Sequence, residues 1–248
     1  MKLQGKRAIV TGGASGFGEG IVRRFVADGA RVVVADRDGD KAEAVARSLG
    51  EAAVAVRADV TVAADVKAMV EAAESRFGGL DILVNNAGMG HLPQPLDEVD
   101  EALFDRILAL NVKSIYLAAR EVVPRFKAQK SGVILNMAST AGVSPRPRLA
   151  WYNASKGWVI TATRSMAVEL APAGIRVVAL NPVAGETPML STFMGEDTPE
   201  MRAKFLSTIP IGRFSTPEDL GAAAAFLCSD DASLITGVAL EVDGGRCI

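Results

Sequence analysis

Seven short apolar runs, with helical patterns between them, constrain the fold more than any other feature of the sequence. They are Arg7–Thr11 (RAIVT), Arg31–Ala35 (RVVVA), Ala53–Arg57 (AVAVR), Leu80–Val84 (LDILV), Gly132–Met137 (GVILNM), Ile175–Leu180 (IRVVAL) and Val238–Val242 (VALEV). A strand with one wet face alternates apolar and polar residues. Most of these runs are instead apolar at consecutive positions, as in strands covered on both faces. The stretches Gly20–Ala27, Asp40–Leu49, Val62–Phe77, Glu101–Lys127, Trp151–Leu170 and Thr216–Cys228 read as helices, with a break expected near Asn111. Strands and helices alternating in this way predict an α/β fold, a doubly wound parallel sheet of Rossmann type. Ligands of such sheets sit beyond the carboxyl ends of the strands.

The 248 residues carry no Pro/Gly/Ser-rich linker and no internal repeat, so a single domain is expected. A net charge of -2 and a pI of about 5.6 argue against nucleic acid or an anionic membrane as the main partner. No apolar run approaches the roughly 18 residues of a membrane span. Cys228 and Cys247 cannot make a disulfide framework and fit a reducing compartment, so the expectation is a cytoplasmic protein with free thiols. His91 is the one histidine, too little for a metal site, and is expected to be a solvated loop residue.

Between the first strand and the first helix lies Thr11-Gly12-Gly13-Ala14-Ser15-Gly16-Phe17-Gly18. Glycines there allow a tight turn and let backbone N–H groups approach a pyrophosphate at a helix N-terminus, where the dipole favours anions. Gly12, Ser15, Gly16, Phe17 and Gly18 are therefore candidate dinucleotide contacts. No Gly-Lys-Ser/Thr follows, which disfavours a nucleoside triphosphate loop. Asp36 ends the second strand, where a carboxylate accepts hydrogen bonds from the adenosine ribose. Its charge would repel a 2′-phosphate and favours NAD over NADP. Arg37 is the opposing signal, because it could swing toward such a phosphate; both residues are counted as cofactor contacts.

Tyr152 and Lys156 stand four apart in Tyr152-Asn153-Ala154-Ser155-Lys156, on one face of a predicted helix. A cation about 4 Å from the phenol is worth roughly 4 kcal/mol at an effective dielectric near 20, enough to bring a tyrosine from about 10 down to about 7. A tyrosine tuned in that way acts as general acid or base.

With the glycine loop, Asn85-Asn86-Ala87-Gly88, Asn111, Ser139 and Tyr152-x-x-x-Lys156 in this order, the chain resembles the short-chain dehydrogenase/reductase family from Lys6 to Asp243-Gly244-Gly245. The resemblance implies hydride transfer between a nicotinamide cofactor and a secondary alcohol or ketone. It makes Tyr152 the acid/base and Ser139 the group that polarises the substrate oxygen. Lys156 would hold the nicotinamide ribose and lower the tyrosine pKa, and Asn111 would hold a water in the proton relay. Asp59, with Val60 beside it, would meet the adenine, and Asn86, Ala87 and Gly88 would close over the adenosine. Thr187, five residues after Pro182, matches the threonine that contacts the carboxamide, and Pro182 is counted with it. Family members usually have Pro-Gly where this chain has Pro182-Val183, which predicts an altered loop with cofactor binding kept. The resemblance also implies homodimers or homotetramers paired through the two long helices. The small-residue face of Gly221–Ala225 is a candidate for another interface. The alternatives are a 3-oxoacyl thioester reductase using NADPH and, outside the enzymes, a dinucleotide-sensing or scaffolding protein.

The substrate would be walled by Met89–Leu96, Thr140–Trp151 and Val183–Arg213. In the last segment Met189, Leu190, Phe193, Met194, Met201, Phe205, Leu206 and Ile209 recur at roughly helical spacing, as expected of a lid at about 183–213. Arg146 or Arg148, if either faces inward, would select a substrate carboxylate or phosphate.

Overall fold

The computed structural model describes residues 1–248. In chain order the elements are β1 (Arg7–Thr11), α1 (Gly16–Ala27), β2 (Arg31–Asp36), α2 (Gly39–Leu49), β3 (Ala53–Arg57), α3 (Ala63–Phe77), β4 (Ile82–Asn85), α4 (Glu101–Leu108), α5 (Ser114–Gln129), β5 (Gly132–Met137), α6 (Ala150–Leu170), β6 (Ile175–Pro182), α7 (Leu190–Met194), α8 (Pro199–Leu206), α9 (Pro217–Cys228) and β7 (Ala239–Val242). All seven strands pair in parallel, in the order β3-β2-β1-β4-β5-β6-β7. The direction of winding reverses between β1 and β4, and that crevice is where a doubly wound sheet binds its ligand.

The consecutive apolar residues of the strands divide between two cores. Ala8, Val10, Val32, Val34, Ile82, Val84, Leu135, Val178 and Leu180 face α1, α2 and α9, meeting Ile21, Val22, Phe25, Val45 and Leu220. Their immediate neighbours Ile9, Val33, Leu83, Ile134 and Val177 face α3, α5 and α6, meeting Met69, Val70, Val122, Phe126 and Leu170. Successive side chains of a strand point to opposite faces, so only a run apolar at every position can fill both layers.

Three local features differ from the sequence expectation. Helix α1 begins at Gly16 rather than Gly20, because Ser15 is extended and the glycine loop itself forms the first turn. Near Asn111 the helix does not break: α4 runs into α5 through one π turn, Ala109–Lys113. Such single π turns recur at functional sites. The small face of α9 is consumed inside the subunit. Gly221, Ala224 and Ala225 are buried against α1, and a Cβ on Gly221 would lie 2.7 Å from the Gly20 carbonyl oxygen. Those three positions are taken up inside the subunit, and of the segment Ala222 is the residue left exposed. No helix is long and apolar enough to cross a membrane.

Candidate active site

Above the carboxyl ends of β1, β4, β5 and β6 lies a cleft of about 680 Å³. Every residue nominated for cofactor contact borders it, as do Ser139, Tyr152 and Lys156; Asn111 sits behind its wall.

The cofactor end is built from main chain. Gly12 and Gly16 have φ of 62° and 53°, a left-handed conformation that glycine adopts without strain. A Cβ on Gly18 would fall 2.0 Å from the Gly12 carbonyl oxygen, so no side chain fits there. The Thr11 hydroxyl accepts from the backbone N–H groups of Asn86 (3.0 Å) and Ala87 (3.1 Å) and donates to the Val84 carbonyl at 3.2 Å. The Asn86 amide donates to the carbonyls of Thr11 (2.9 Å) and Gly12 (3.1 Å). This is the work of Asn86-Ala87-Gly88 visible in the structure: it clamps the glycine loop onto β4. Thr11 went unnominated in the sequence, although a threonine ending the first strand is the signal that would have found it.

Asp36 is fixed by two backbone donors, Ala14 at 3.1 Å and Asp38 at 3.0 Å, with its carboxylate on the cleft beside exposed Arg37. Asp59 accepts from the Thr61 hydroxyl (2.7 Å) and N–H (2.9 Å), which hold its carboxyl below the usual range; Val60 next to it is buried. Pro182 ends β6, its carbonyl accepting from Thr140. The departure Pro182-Val183 has a packing consequence. Val183 enters a separate apolar cluster with Leu190, Met194, Phe205, Ile209 and Phe214. The displaced Gly185 leaves room for Phe17, whose ring would stand 2.2 Å from a Cβ at that position. Thr187 lies across the glycine loop, 3.2 Å from a Cβ placed on Gly16.

The chemical end centres on Tyr152, 6% exposed in the first turn of α6. Ser139, capping the short turn after β5, accepts from the Ala141 N–H at 3.1 Å and stands beside the phenol on the cleft wall. Phe193 of α7 packs on the phenol ring with centroids 5.0 Å apart. Burial pushes the phenol up to about 12, and the nearby Ser139 hydroxyl only partly opposes this. The sequence expectation was the reverse, a phenol lowered by Lys156. The difference is positional. The Lys156 ammonium donates to the Met137 carbonyl at 2.8 Å, makes no hydrogen bond to the phenol and lies 5.9 Å from the centre of its ring. Lys156 itself is buried and pushed down to about 8. Tyr152 is therefore neutral at pH 7 and Lys156 is mostly charged.

Asn111 is 2% exposed in the π turn. Its amide donates to the Met89 carbonyl (2.9 Å) and the Ser155 hydroxyl (3.0 Å), and its oxygen accepts from the Met89 N–H (2.9 Å). The side chain thus ties the loop after β4 to α6, three residues from Tyr152. Behind it a buried chain runs from the Asn85 amide to Asn136 (2.9 Å) and from Asn136 to Thr163 (2.9 Å), joining β4, β5 and α6.

Three residues or segments expected at the substrate end have these positions. His91 is buried, 4% exposed, not solvated: Met89 is pinned by Asn111 and Gly90 packs under Phe193, which turns the next residue inward. Its Nδ1 lies 2.8 Å from the Leu92 carbonyl and so carries a proton. Arg146 borders the cleft, whereas Arg148 is exposed and outside it. The predicted lid forms α7 and α8 around the Val183 cluster, and Met189, Leu190, Phe193 and Phe205 face the cleft.

The residues fit a nicotinamide dinucleotide on three observations: the side-chain-free cradle at Gly18, a twelve-residue helix opening at the loop, and a fixed carboxylate at the end of β2. Comparison with known proteins agrees. A family model described as enoyl-(acyl carrier protein) reductase matches residues 12–246. The 4-formylbenzenesulfonate dehydrogenase TsaC1/TsaC2 of Comamonas testosteroni is 50% identical over 257 residues, spanning 100% of both chains. A crystal structure of 3-ketoacyl-(acyl-carrier-protein) reductase from Brucella melitensis complexed with NADH is 57% identical with a TM-score of 0.95, covering 99% of this chain and 100% of that one. A 7α-hydroxysteroid dehydrogenase complexed with NADH and 7-oxo glycochenodeoxycholic acid is 37% identical with a TM-score of 0.92, covering 98% and 95%. With its sheet order, glycine cradle and Ser139–Tyr152–Lys156 cluster, the chain belongs to the short-chain dehydrogenase/reductase family of oxidoreductases.

Proposed function

We propose that this enzyme interconverts a secondary alcohol and a ketone with NAD rather than NADP, using Tyr152 as the acid/base. The observation that carries the reading is the buried, protonated Tyr152 phenol on the cleft wall with the Ser139 hydroxyl close enough to act on it and the Lys156 cation beside its ring. The bound nicotinamide would supply or accept the hydride. In reduction, the Tyr152 hydroxyl gives its proton to the carbonyl oxygen while Ser139 donates a hydrogen bond to that oxygen, offsetting the charge that develops there. Lys156 then faces a phenolate and stabilises it. In oxidation the same phenol oxygen takes the hydroxyl proton. Asn111 keeps α6 in register with the loop after β4 and so positions both. Gly12, Ser15, Gly16, Phe17 and Gly18 would cradle the pyrophosphate, Asp59 and Val60 with Asn86, Ala87 and Gly88 the adenosine, and Pro182 and Thr187 the nicotinamide.

Asp36 supports NAD, because its immobile carboxylate would meet a 2′-phosphate with like charge at short range. The NADH named with both solved relatives supports the same preference. The segment 183–213 would act as the lid, excluding water through Met189, Leu190 and Phe193. The enzyme would work in the cytoplasm as a homotetramer or homodimer. Exposed Tyr116 of α5 and Trp158 and Val168 of α6 are the apolar surface available for pairing, 52%, 40% and 81% exposed.

A second reading is favoured by the name of the Brucella structure, reduction of a 3-oxoacyl thioester. The test for both is a coupled assay of secondary alcohols, ketones and a 3-oxoacyl thioester with each cofactor. Turnover of an alcohol–ketone pair with NAD(H) at least ten times faster than with NADP(H) is expected. Faster use of NADPH on the thioester would replace this reading with the second, and NADH binding without turnover on any of them would point to a sensor.

A further inference from the structure

The other strongly bonded arginines of this chain have an acid or, for Arg176, the backbone carbonyls of Leu227, Ser229 and Ile235. Arg7 meets Asp81 at 2.8 Å, Arg125 meets Glu74 at 2.7 Å, and Arg213 and Arg202 pair with Asp219 and Asp197. Arg146 differs. Its guanidinium lies over the Phe205 ring, 4.4 Å from the centroid, with one long contact to the Thr208 hydroxyl at 3.4 Å and no carboxylate partner. It is half-buried on the cleft wall, and its backbone is held to α6 by the Asn153 amide, which donates to the Arg146 carbonyl at 2.7 Å. A second arginine stands close enough to repel it: burial first, then Arg246, lowers the pKa of Arg146. Arg246 reaches in from the C-terminal segment, donating to the Ser144 hydroxyl at 3.0 Å, and its Nε is buried with no partner.

Two neighbouring guanidinium groups taken partly out of water with no counter-ion are costly, and an anion bound on the cleft side of Arg146 offsets that cost. The same stretch of wall supplies apolar surface from Leu149, Phe193 and Phe205. We infer that the substrate is an organic acid: its alcohol or ketone stands at Tyr152 while a carboxylate or sulfonate at the far end of an apolar body is held by Arg146, with Arg246 behind it. The inference rests on the dehydrogenase reading and names the substrate class of that site. Arg148, two residues on, has a φ of 65° and points its chain away from the cleft wall, which makes it the natural control.

The test uses NADH-dependent reduction of 4-acetylbenzoate, 4-acetylbenzenesulfonate and the neutral methyl 4-acetylbenzoate by the full-length enzyme. Charge-assisted hydrogen bonds of this kind are worth about a factor of ten or more. Wild type should prefer at least one acid over the ester by about tenfold in kcat/KM, and the preferred acid identifies the head group. Arg146→Gln should collapse that ratio, Arg146→Lys should keep part of it, and Arg148→Gln should keep all of it. Equal use of acids and ester, or a ratio untouched in Arg146→Gln, overturns the inference. Should none of the three be reduced, the dehydrogenase reading is what these ketones fail. Titration of the NADH-loaded protein with benzoate and benzenesulfonate then decides the anion site by itself. Saturable binding lost in Arg146→Gln supports the site, and no binding to wild type removes it.

Discussion

The two ends of the cleft are held by different kinds of force. At the cofactor end the contacts are main chain to main chain or main chain to a short polar side chain: Thr11 to Asn86 and Ala87, Asn86 to Thr11 and Gly12, Asp36 to Ala14 and Asp38. These are directional bonds with little tolerance, and Gly18 has no space for even a methyl group. At the substrate end the wall is a small apolar cluster of its own, Val183, Leu190, Met194, Phe205, Ile209 and Phe214, carried on two short helices. Apolar packing is non-directional and tolerates exchange of residues of similar volume. A rigid cradle suits a cofactor that never changes, and a repackable wall suits a family in which the substrate does. Tyr152 stands at the seam, beside Ser139 and packed against Phe193.

That contrast can be broken at either end. The largest effect belongs to the cradle. Gly18→Ala places a methyl 2.0 Å from the Gly12 carbonyl, so NADH affinity should fall by more than a hundredfold, measured by fluorescence titration. An affinity within threefold of wild type would show that the loop yields and that the cradle is softer than its bonds suggest.

Next comes the charge buried at the seam. Lys156 has a folded value of about 8 against an ordinary 10.5, so the folded state binds fewer protons than the unfolded one between those pH values. Stability therefore rises with pH from about 8 toward 10.5, by about 3 kcal/mol. Tyr152 has the opposite sign, because its folded value is raised to about 12, and it removes stability only above about pH 10. Urea unfolding at pH 7 to 10 should show the rise in wild type and not in Lys156→Met. A flat wild-type profile would mean that the ammonium is better solvated than its burial implies.

The smallest effect is expected from the wall. Phe193→Ala removes the ring over Tyr152 and opens space beside Gly90. KM should rise about three- to tenfold with NADH binding unchanged, and the phenol should move down from about 12 as water reaches it. Loss of NADH binding in this variant would show that the two ends are mechanically coupled.

The same division explains what could be read from sequence. The parallel doubly wound sheet, the cradle and Asp36 were legible because each depends on a local rule: runs apolar at every position, glycines where φ is positive, an acid at a strand end. The behaviour of Tyr152 was not legible. Its pKa depends on burial, to which Phe193, 41 residues away, contributes, and the Lys156 ammonium bonds the Met137 carbonyl rather than the phenol. At Asn111 the helix continues through a π turn, which leaves the local pattern of a break while keeping the chain helical. Arg146 and Arg148 were indistinguishable in Ser144-Pro145-Arg146-Pro147-Arg148; the Asn153 bond to one and the left-handed backbone of the other set their different fates. His91 is a loop residue drawn inside by contacts of its neighbours rather than by any property of its own.

The measurement that bears most directly on the account is the Tyr152→Phe variant, with turnover and NADH binding followed in parallel. Loss of the phenolic proton should lower kcat by about a thousandfold, within the usual range for removing a general acid, while the NADH dissociation constant stays within threefold of wild type. Turnover within tenfold of wild type would contradict the assignment of Tyr152 as the proton donor.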